Sequence, residues 1–316
     1  GIGISGVTES GAIRSVSGVN VITGPIRLNT PSKISAFGTT TTDSLIIRTG
    51  GINADGNSLL LNAFKGMHIS GVIGGVGSKV TKSGNDTLIL SGANTYDDLT
   101  TITTGVIIVK NNDALGSAIA GTADGNTIIN TGAAMRLDAP SSASGAGLLI
   151  TEPITLNGTG INTTGAIRNN IGINTISSII SIGTNGSRIN SSLDTLILSN
   201  GTSAIDFSTF GLTMGGAGHH LISGLLLGSG NLTKDGTGTM VLSNANTGYS
   251  GVIAASANGG VINIQNDNAL GTTNVATTIA TGAALQIQGG ITIAEQTINL
   301  NGGGVNADGA LRSISG

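Results

Sequence analysis

The chain contains one stretch twice, and this internal repeat limits the possible folds more than any other feature of the sequence. Residues 82–96 read KSGNDTLILSGANTY, and residues 234–247 read KDGTGTMVLSNANT. Eight of the fourteen aligned positions are identical. Chains that repeat a structural phrase form stacked folds in which each unit packs on its neighbours. The identical pairs are Lys82/Lys234, Gly84/Gly236, Thr87/Thr239, Leu90/Leu242, Ser91/Ser243, Ala93/Ala245, Asn94/Asn246 and Thr95/Thr247.

Other landmarks return at nearly the same spacing. The phrase Gly-Ala-Ile-Arg occurs at residues 11–14 and 165–168, and it returns as Gly-Ala-Leu-Arg at residues 309–312. Small differences in spacing are what loop insertions and deletions produce in an array whose core is fixed. The chain therefore holds two copies of one unit of about 150 residues and the start of a third.

Within each unit the apolar residues come in short runs. Examples are Leu45-Ile46-Ile47, Leu88-Ile89-Leu90 and Leu196-Ile197-Leu198, and turn dipeptides such as Asp235-Gly236 separate such runs. Short β-branched runs between turn signals are typical of strands, and no segment keeps a helical period. The sequence predicts an all-β protein.

The composition decides how such short strands build a core. Only 2% of the residues are aromatic, whereas 53 of the 316 are glycine. Strands of three to six residues without large side chains cannot fill a sandwich, but coils that stack on one another can bury ladders of small aliphatic residues. Coils of about 20 to 25 residues give roughly 13 to 16 coils and a rod of about 60 to 75 Å at about 4.8 Å per coil.

We therefore predict a parallel β-helix, that is, a β-solenoid. Its predicted limits are one continuous solenoid over residues 1–316, with tandem units at about 11–164 and 165–308 and a restart of the unit at 309–316.

Charge and hydropathy exclude several other classes. A mean hydropathy of +0.30 and a net charge of −3 argue against disorder, and apolar runs of only three or four residues argue against insertion into a membrane. Without a basic cluster we expect no nucleic-acid partner. The absence of cysteine fits a protein that crosses an oxidising compartment without forming wrong disulfides. Gly1 is not an initiator methionine and no leader pattern precedes it, so we expect a processed product or a segment of a longer protein.

The repeated stretch resembles the autotransporter-associated β-strand repeat, and the matches cover about 35 residues twice. This resemblance implies a right-handed parallel β-helix that forms the secreted passenger of a bacterial type V system, exposed on the outer surface. In the second copy Asn244 and Gly248 replace Gly92 and Tyr96 of the motif, with Tyr249 one residue late. The matching segments are Leu90-Ser91-Gly92-Ala93-Asn94-Thr95-Tyr96, Asp113-Ala114-Leu115-Gly116, Leu232-Thr233-Lys234, Gly236-Thr237-Gly238-Thr239, Leu242-Ser243, Ala245-Asn246-Thr247 and Asn268-Ala269-Leu270-Gly271.

The acidic residues offer no recurring catalytic arrangement. Asp97-Asp98 is the one adjacent acidic pair, and its counterpart around Ser250-Gly251 has none, so we expect a solvated loop. The carboxylate of residues 111–113 moves by one position in residues 266–268, which a turn tolerates and a catalytic acid does not.

The candidates for metal binding are equally weak. Isolated Ala-Asp-Gly tripeptides end at Gly56, Gly125 and Gly309, but calcium repeats need such turns every nine residues. We expect His68 and the pair His219-His220 to lie in exposed turns. For Arg14, Arg168 and Arg312, and for Glu152 and Glu295, recurrence within one chain favours a structural role.

We therefore predict no catalytic residue, no cofactor-binding residue and no metal ligand. The expected function is that of a non-enzymatic, secreted, cell-surface rod that is structural or adhesive. Its ends share one phase of the repeat, so we expect self-association by end-to-end stacking or covalent continuation. A receptor or glycan on a host or neighbouring cell is the other expected partner. The alternative is a carbohydrate-active β-helix, either a polysaccharide lyase or a tailspike-like hydrolase; a protease passenger lacks a Ser-His-Asp set.

Overall fold

A computed structural model describes residues 11–117, 125–139, 147–272, 275–294 and 296–315 of the chain. These residues form parallel strands stacked into a β-solenoid of about 12 turns. The helical content among them is two short 3-10 turns, Ile161–Thr163 and Val305–Ala307. The prediction of an all-β solenoid is confirmed.

The chain divides into two compact units, each with three parallel faces. The first unit comprises Gly1–Pro140 with Ile150–Thr155, and the second comprises Ser141–Leu149 with Leu156–Gly316. The strands Leu149–Ile150 and Ile154–Leu156 lie where the two units divide the chain. A single continuous solenoid with tandem units at 11–164 and 165–308 stays a prediction.

In the first unit a coil passes through face 1, face 2 and face 3 in turn. Face 1 consists of Ile13–Ser15, Ser32–Ala36, Leu59–Ala63, Val80–Ser83, Thr100–Ile102 and Thr127–Ile129. Face 2 consists of Val19–Ile22, Ser44–Ile47, Gly66–Ile69, Thr87–Leu90, Gly105–Val109 and Ala133–Asp138. Face 3 consists of Ile26–Arg27, Ile52–Asn53 and Ile73–Gly74.

The second unit has the same three-faced coil. Its face 1 consists of Ile167–Ile171, Ser187–Ser191, Leu212–Gly215, Leu232–Lys234, Ile253–Ala255, Thr277–Ile279 and Ile298–Leu300. Its face 2 consists of Asn174–Ile176, Thr195–Leu198, His219–Ile222, Thr239–Leu242, Gly260–Ile264, Ala283–Gln288 and Leu311–Ser315. Its face 3 consists of Ile180–Ile182, Ile205–Asp206 and Leu226–Leu227.

Each unit has a core of aliphatic ladders. Alternate residues of a strand point to opposite sides, so the residue at each inward position stacks on its register partner in the next coil. On face 1 of the first unit one such ladder runs through Ile13, Ile34, Leu61, Lys82 and Ile102, which are paired in that order. The apolar members of this ladder that lie inside the stack are fully buried. Small side chains suffice because each needs to fill only one narrow layer.

Most coils have the predicted length of 20 to 25 residues; the register step from Lys82 to Ile102, for example, is 20 residues. Two steps on face 1 of the first unit, from Ile34 to Leu61 and from Ile102 to Ile129, take 27 residues. The structure has about 12 turns, fewer than the 13 to 16 predicted. No helix among the described residues is both long and apolar enough to cross a membrane.

Candidate functional site

The repeated stretch places a lysine inside the core of the first unit. The side chain of Lys82 is fully buried in the face 1 ladder between Leu61 and Ile102. Its ammonium group donates to the backbone carbonyls of Ser83 at 2.9 Å, Gly84 at 2.7 Å and Thr104 at 3.0 Å. An ammonium group has three N–H donors, and all three are used here.

Lys234 repeats this arrangement in the second unit. It lies in the face 1 ladder between Met214 and Ala255, and it is also fully buried. Its ammonium group donates to the carbonyls of Asp235 at 2.7 Å, Gly236 at 2.8 Å and Gly259 at 2.9 Å. The two lysines therefore bind the turn between face 1 and face 2 to the corresponding turn of the next coil.

Burial affects the titration of both lysines. Loss of hydration lowers the pKa of Lys82 to about 8, partly offset by Asp86, and it lowers the pKa of Lys234 to about 8, partly offset by Asp235. A lysine with a lowered pKa is a candidate nucleophile or base. Neither amine is accessible to a substrate, however, because both side chains are fully buried. The geometry assigns them a structural role.

The asparagine of the repeat forms the corner that leads into face 3. In the first unit the side chain of Asn94 accepts from the Ile73 N–H at 2.8 Å and donates to the Ala114 carbonyl at 2.6 Å. These two partners lie in the preceding and the following coil, so one carboxamide connects three coils. Asn246 makes the same pair of bonds in the second unit, with the Leu226 N–H at 2.9 Å and the Ala269 carbonyl at 2.7 Å.

The tyrosine that follows the corner is buried in both units. The hydroxyl oxygen of Tyr96 lies 2.7 Å from that of Thr100, and the hydroxyl of Tyr249 donates to the Gly230 carbonyl at 2.8 Å. The backbone carbonyl of Tyr96 accepts from Ser117, and that of Tyr249 accepts from Thr272. Burial raises the pKa of both hydroxyls.

These contacts correct the alignment of the two copies. The sequence comparison set Tyr96 against Gly248, whereas the structure places Tyr249 in the position of Tyr96. One additional residue after Asn246 is absorbed in a turn in which the Tyr249 N–H donates to the Asn246 carbonyl. A residue added in a turn does not disturb the register of the strands on either side.

The final glycine of each repeat packs against this tyrosine. Gly116 has φ +96°, and a Cβ atom there would lie 2.5 Å from the Tyr96 carbonyl oxygen and 2.8 Å from its ring. Gly271 has φ +88°, and a Cβ atom there would approach the carbonyl oxygen and the ring of Tyr249 in the same way. Only glycine fits a position that combines a left-handed backbone with so close a neighbour.

The acidic and amide residues after face 2 form turns, as the sequence predicted. The Asn111 side chain accepts from the Asp113 N–H at 3.0 Å, and the Asn266 side chain accepts from the Asn268 N–H at 3.0 Å. In both copies the first asparagine makes the turn, which explains why the carboxylate can change its position.

Asp97 and Asp98 are half-buried in a loop and act locally. Asp97 accepts from the Gly77 N–H, and Asp98 accepts from the Leu99 N–H at 2.7 Å. A second oxygen of Asp98 lies 3.6 Å from the ammonium nitrogen of Lys79. The two carboxylates thus contact different partners and do not converge on one reacting atom.

The prediction that the histidines lie in exposed turns is wrong. His68 lies on the strand Gly66–Ile69, where its Nε2 atom is 2.8 Å from the Ser91 hydroxyl oxygen. His219 and His220 lie on the strand His219–Ile222; His219 is exposed, but His220 is fully buried. Burial lowers the pKa of His220 to about 3, and Lys234, His219 and Arg188 lower it further.

The side chain of His220 points into the core because inward and outward side chains alternate along its strand in the same register as in the strands on either side. It pairs with Leu196 and Met240, and the corresponding inward position of the first unit holds Met67. Neither ring nitrogen of His220 has a hydrogen-bond partner among the described residues.

Two of the recurring arginines, and the aspartates of two Ala-Asp-Gly turns, contact an oppositely charged side chain or an aromatic ring. Arg14 packs on the ring of Phe37 at 4.9 Å, and Asp55 and Asp308 pair with Arg27 at 2.7 Å and Arg312 at 3.6 Å. Among the residues that the structure describes, no three His, Asp or Glu side chains group closely enough to hold a metal ion. Asp124 and Glu295 lie outside the described residues.

Glu152 is a buried acid of the first unit. Its pKa rises to about 7, chiefly because burial removes its hydration and also because the Asp113 charge is near.

A surface groove occurs at the same place of the repeat in both units. In the first unit the groove lies on the outer side of face 1 and has a volume of about 470 Å³; we call it the apolar groove. Its lining consists of Pro31, Ser32, Lys33, Ser58, Leu59, Leu60 and Thr81.

In the second unit the corresponding groove has a volume of about 420 Å³, and we call it the polar groove. The two linings share register positions, because each includes residues that lie within two positions of the buried lysine or of the residue paired with it in the preceding coil. The matching pairs are Leu59 and Leu212, Leu60 and Thr213, and Thr81 and Thr233. The lining of the polar groove consists of Asn185, Gly186, Thr209, Gly211, Leu212, Thr213, Ser229, Gly230, Asn231 and Thr233.

Neither groove was predicted from the sequence. One signal was present, because Leu60 of the first copy is replaced by Thr213 in the second, while the copies keep the leucine and threonine beside it, the lysine, the asparagine and the glycines. A position that varies on a constant scaffold is where a repeat protein changes its binding surface.

Comparison with known proteins identifies one relative. The chain is 32% identical over 229 residues to Adhesin BmaC autotransporter of Brucella suis biovar 1 (strain 1330), and the match covers 66% of the chain. The chain spans 6% of the length of that protein. No protein-family model and no solved structure matches the chain. The resemblance inferred from the repeat is confirmed: the chain is homologous to an autotransporter adhesin, and its β-solenoid fold is consistent with an autotransporter passenger.

Proposed function

We propose, with homology to an autotransporter adhesin as the premise, that the chain is part of a secreted passenger displayed on the bacterial outer surface. In this proposal the solenoid mediates adhesion and has no enzymatic activity. Its partners are a receptor or glycan on a host or neighbouring cell, and further copies of the repeat through covalent continuation or end-to-end stacking.

One observation carries the proposal. The reactive side chains that recur between the copies, Lys82 with Lys234 and Tyr96 with Tyr249, are fully buried and bind atoms of the scaffold. Recurrence therefore maintains the stack, while an outward residue that differs between the copies, Leu60 in the first and Thr213 in the second, lines the surface groove. A constant scaffold with a variable surface suits recognition better than catalysis, which needs a fixed constellation of reactive groups.

Display on a cell tests this proposal. The chain is fused to a translocating membrane barrel in a non-adherent bacterium, and attachment to cultured epithelial cells is counted. We expect attachment to rise several-fold over bacteria that display the barrel alone. Antibody labelling of intact cells confirms that the chain is exposed.

Two comparisons show whether attachment depends on the displayed chain. Protease treatment of intact bacteria should remove the exposed chain and return attachment to the level of the barrel alone. Equal attachment with and without the chain, at matched surface labelling, would contradict an adhesive function.

A further inference from the structure

We propose that the polar groove of the second unit binds a neutral saccharide, with its ring hydroxyl or acetamido groups held by asparagine and threonine side chains. This proposal rests on the proposed adhesive function and specifies the site and the class of ligand.

The position of the groove is the first argument. In both units the groove lies on face 1, where the buried lysine connects neighbouring coils. Each lining includes a buried leucine at the same position of the repeat, Leu59 in the first unit and Leu212 in the second. The outward residue next to that leucine is Leu60 in the first unit and Thr213 in the second. The scaffold thus keeps the groove and changes its chemistry from apolar at Leu60 to hydroxyl-bearing at Thr213.

The second argument is that the groove presents fixed hydrogen-bonding groups. The side-chain oxygen of Asn185 accepts from the Gly211 N–H at 2.9 Å and from the Gly186 N–H at 3.1 Å. The side-chain oxygen of Asn231 accepts from the Val252 N–H at 3.1 Å. These bonds fix both carboxamides, and within the described part of the chain their N–H₂ groups donate to no other atom. Each therefore has donors available for a ligand at little cost in conformational entropy.

Hydroxyl groups complete the lining. Thr213 and Thr233 are register partners on adjacent coils and point outward, and Thr209 and Ser229 lie on the exposed loops beside them. A hydroxyl donates one hydrogen bond and accepts two, as a sugar hydroxyl does. Alternating donors and acceptors on one wall therefore match the edge of a pyranose ring.

The dimensions of the groove are the third argument. It crosses three successive coils, and at about 4.8 Å between paired strands it extends roughly 10 Å along the stack, enough for two sugar rings. Gly186, Gly211 and Gly230 give it depth because they carry no side chain. At Gly186 an added Cβ would meet no atom within 4 Å, so this end of the groove is open.

Electrostatics favour a neutral ligand over a charged one. The lining of the polar groove contains no charged residue. On the same face Lys234 is fully buried, and the guanidinium of Arg188, the register partner of Thr213, is bound by both carboxylate oxygens of Asp235 at 2.7 and 2.8 Å. An anionic sugar or a phosphate would find no uncompensated positive charge there.

The test uses saturation-transfer NMR with the purified chain and a panel of neutral disaccharides and trisaccharides built from glucose, galactose and N-acetylhexosamines. We expect saturation transfer to at least one member of the panel. The double substitution Thr213→Leu with Asn231→Lys installs the residues that the first unit holds at these positions, Leu60 and Lys79, and it should weaken binding at least tenfold.

A matched control is available in the first unit. Leu60→Thr changes the apolar groove by the reverse substitution and should leave binding of the same sugar unchanged. Because the first unit already accommodates leucine and lysine at these positions, the double variant is expected to fold, and its urea midpoint checks this. Absence of transfer to every sugar, or unchanged affinity in the folded double variant, would overturn the proposal.

The adhesion assay separates this proposal from the broader one. If bacteria displaying the double variant attach as well as those displaying the parent chain, the saccharide groove is wrong and adhesion stands. If the purified chain binds a sugar through the polar groove but its display produces no attachment, the adhesive function is wrong and the groove stands.

Discussion

The buried polar residues of this solenoid differ in whether their polar atoms have hydrogen-bond partners. Lys82 and Lys234 use all three N–H groups on backbone carbonyls, so their charge is compensated by dipoles. His220 is different, because it replaces an apolar residue of an inward ladder and gains no partner within the described residues. Acid should destabilise the fold at His220 first, because protonation would place a charge on a buried group without a partner.

His220 predicts a dependence of stability on pH. Its pKa is about 3 in the folded chain and near 6.5 when exposed, so the unfolded chain binds the extra proton between these values. Stability contributed by neutral His220 is complete above about pH 6.5 and is lost as the pH falls toward 3. The loss approaches about 1.4 kcal/mol for each pH unit in that window.

The variant His220→Met, which takes the residue type of Met67, tests this sign. We expect it to unfold at higher urea concentration than the parent chain at pH 4.5, with a smaller difference at pH 7.5. The exposed neighbour offers the comparison: His219→Gln leaves the buried imidazole in place and removes only a lesser cause of its lowered pKa, so this variant should keep most of the acid dependence. An equal loss of stability with acid in parent and His220→Met would show that this histidine is not the acid-sensitive group.

At the scale of the strand and its corner, one carboxamide connects three coils. Replacing Asn94 by alanine leaves the Ile73 N–H and the Ala114 carbonyl without their partner in a buried corner. Each such group costs about 1 to 3 kcal/mol. We therefore expect Asn94→Ala to lower the free energy of unfolding by roughly 2 to 4 kcal/mol, measured by urea denaturation, and Asn246→Ala to do the same in the second unit.

The neighbouring residue provides a matched control for the corner. Thr95 is exposed, so Thr95→Ala should change stability by less than about 0.5 kcal/mol. A similar urea midpoint for Asn94→Ala and Thr95→Ala would mean that the corner is held by the strands alone.

The sequence predicted the strands and this corner well, because their signals are local. Runs such as Leu88-Ile89-Leu90 define strands by their alternation, and Asn94 and its copy mark the turn. The alignment failed at Tyr249 because a residue was added in a turn, where length is not constrained by register. The prediction for His220 failed for a different reason, since histidine is usually exposed and only the paired strands on both sides show that its position points inward.

For the whole molecule, periodicity and composition were enough to predict a stack of parallel coils. They did not locate the two coils of 27 residues, because the loops between faces vary and leave no periodic signal. The grooves could not be located either, since each is formed by residues about 20 to 25 positions apart that only the register of the stack brings together. The proposed binding therefore depends on the same register that the repeated stretch fixes.

The most direct test of this account is therefore the register itself. The chain has no cysteine, so a pair of introduced cysteines reports on one contact. Thr81 and Thr101 are register partners on the outer side of face 1. At about 4.8 Å between paired strands, their Cα atoms lie within the roughly 4.4 to 6.8 Å that a disulfide requires. Thr103 lies two residues further along, at about 8 Å from Thr81 by the same strand geometry, which is too far.

We predict that the variant with Thr81→Cys and Thr101→Cys forms an intramolecular disulfide under mild oxidation. The variant with Thr81→Cys and Thr103→Cys should remain reduced, as shown by thiol titration and non-reducing electrophoresis. Cross-linking of the second pair instead of the first would contradict the register on which the buried lysines, the asparagine corners and the grooves all depend.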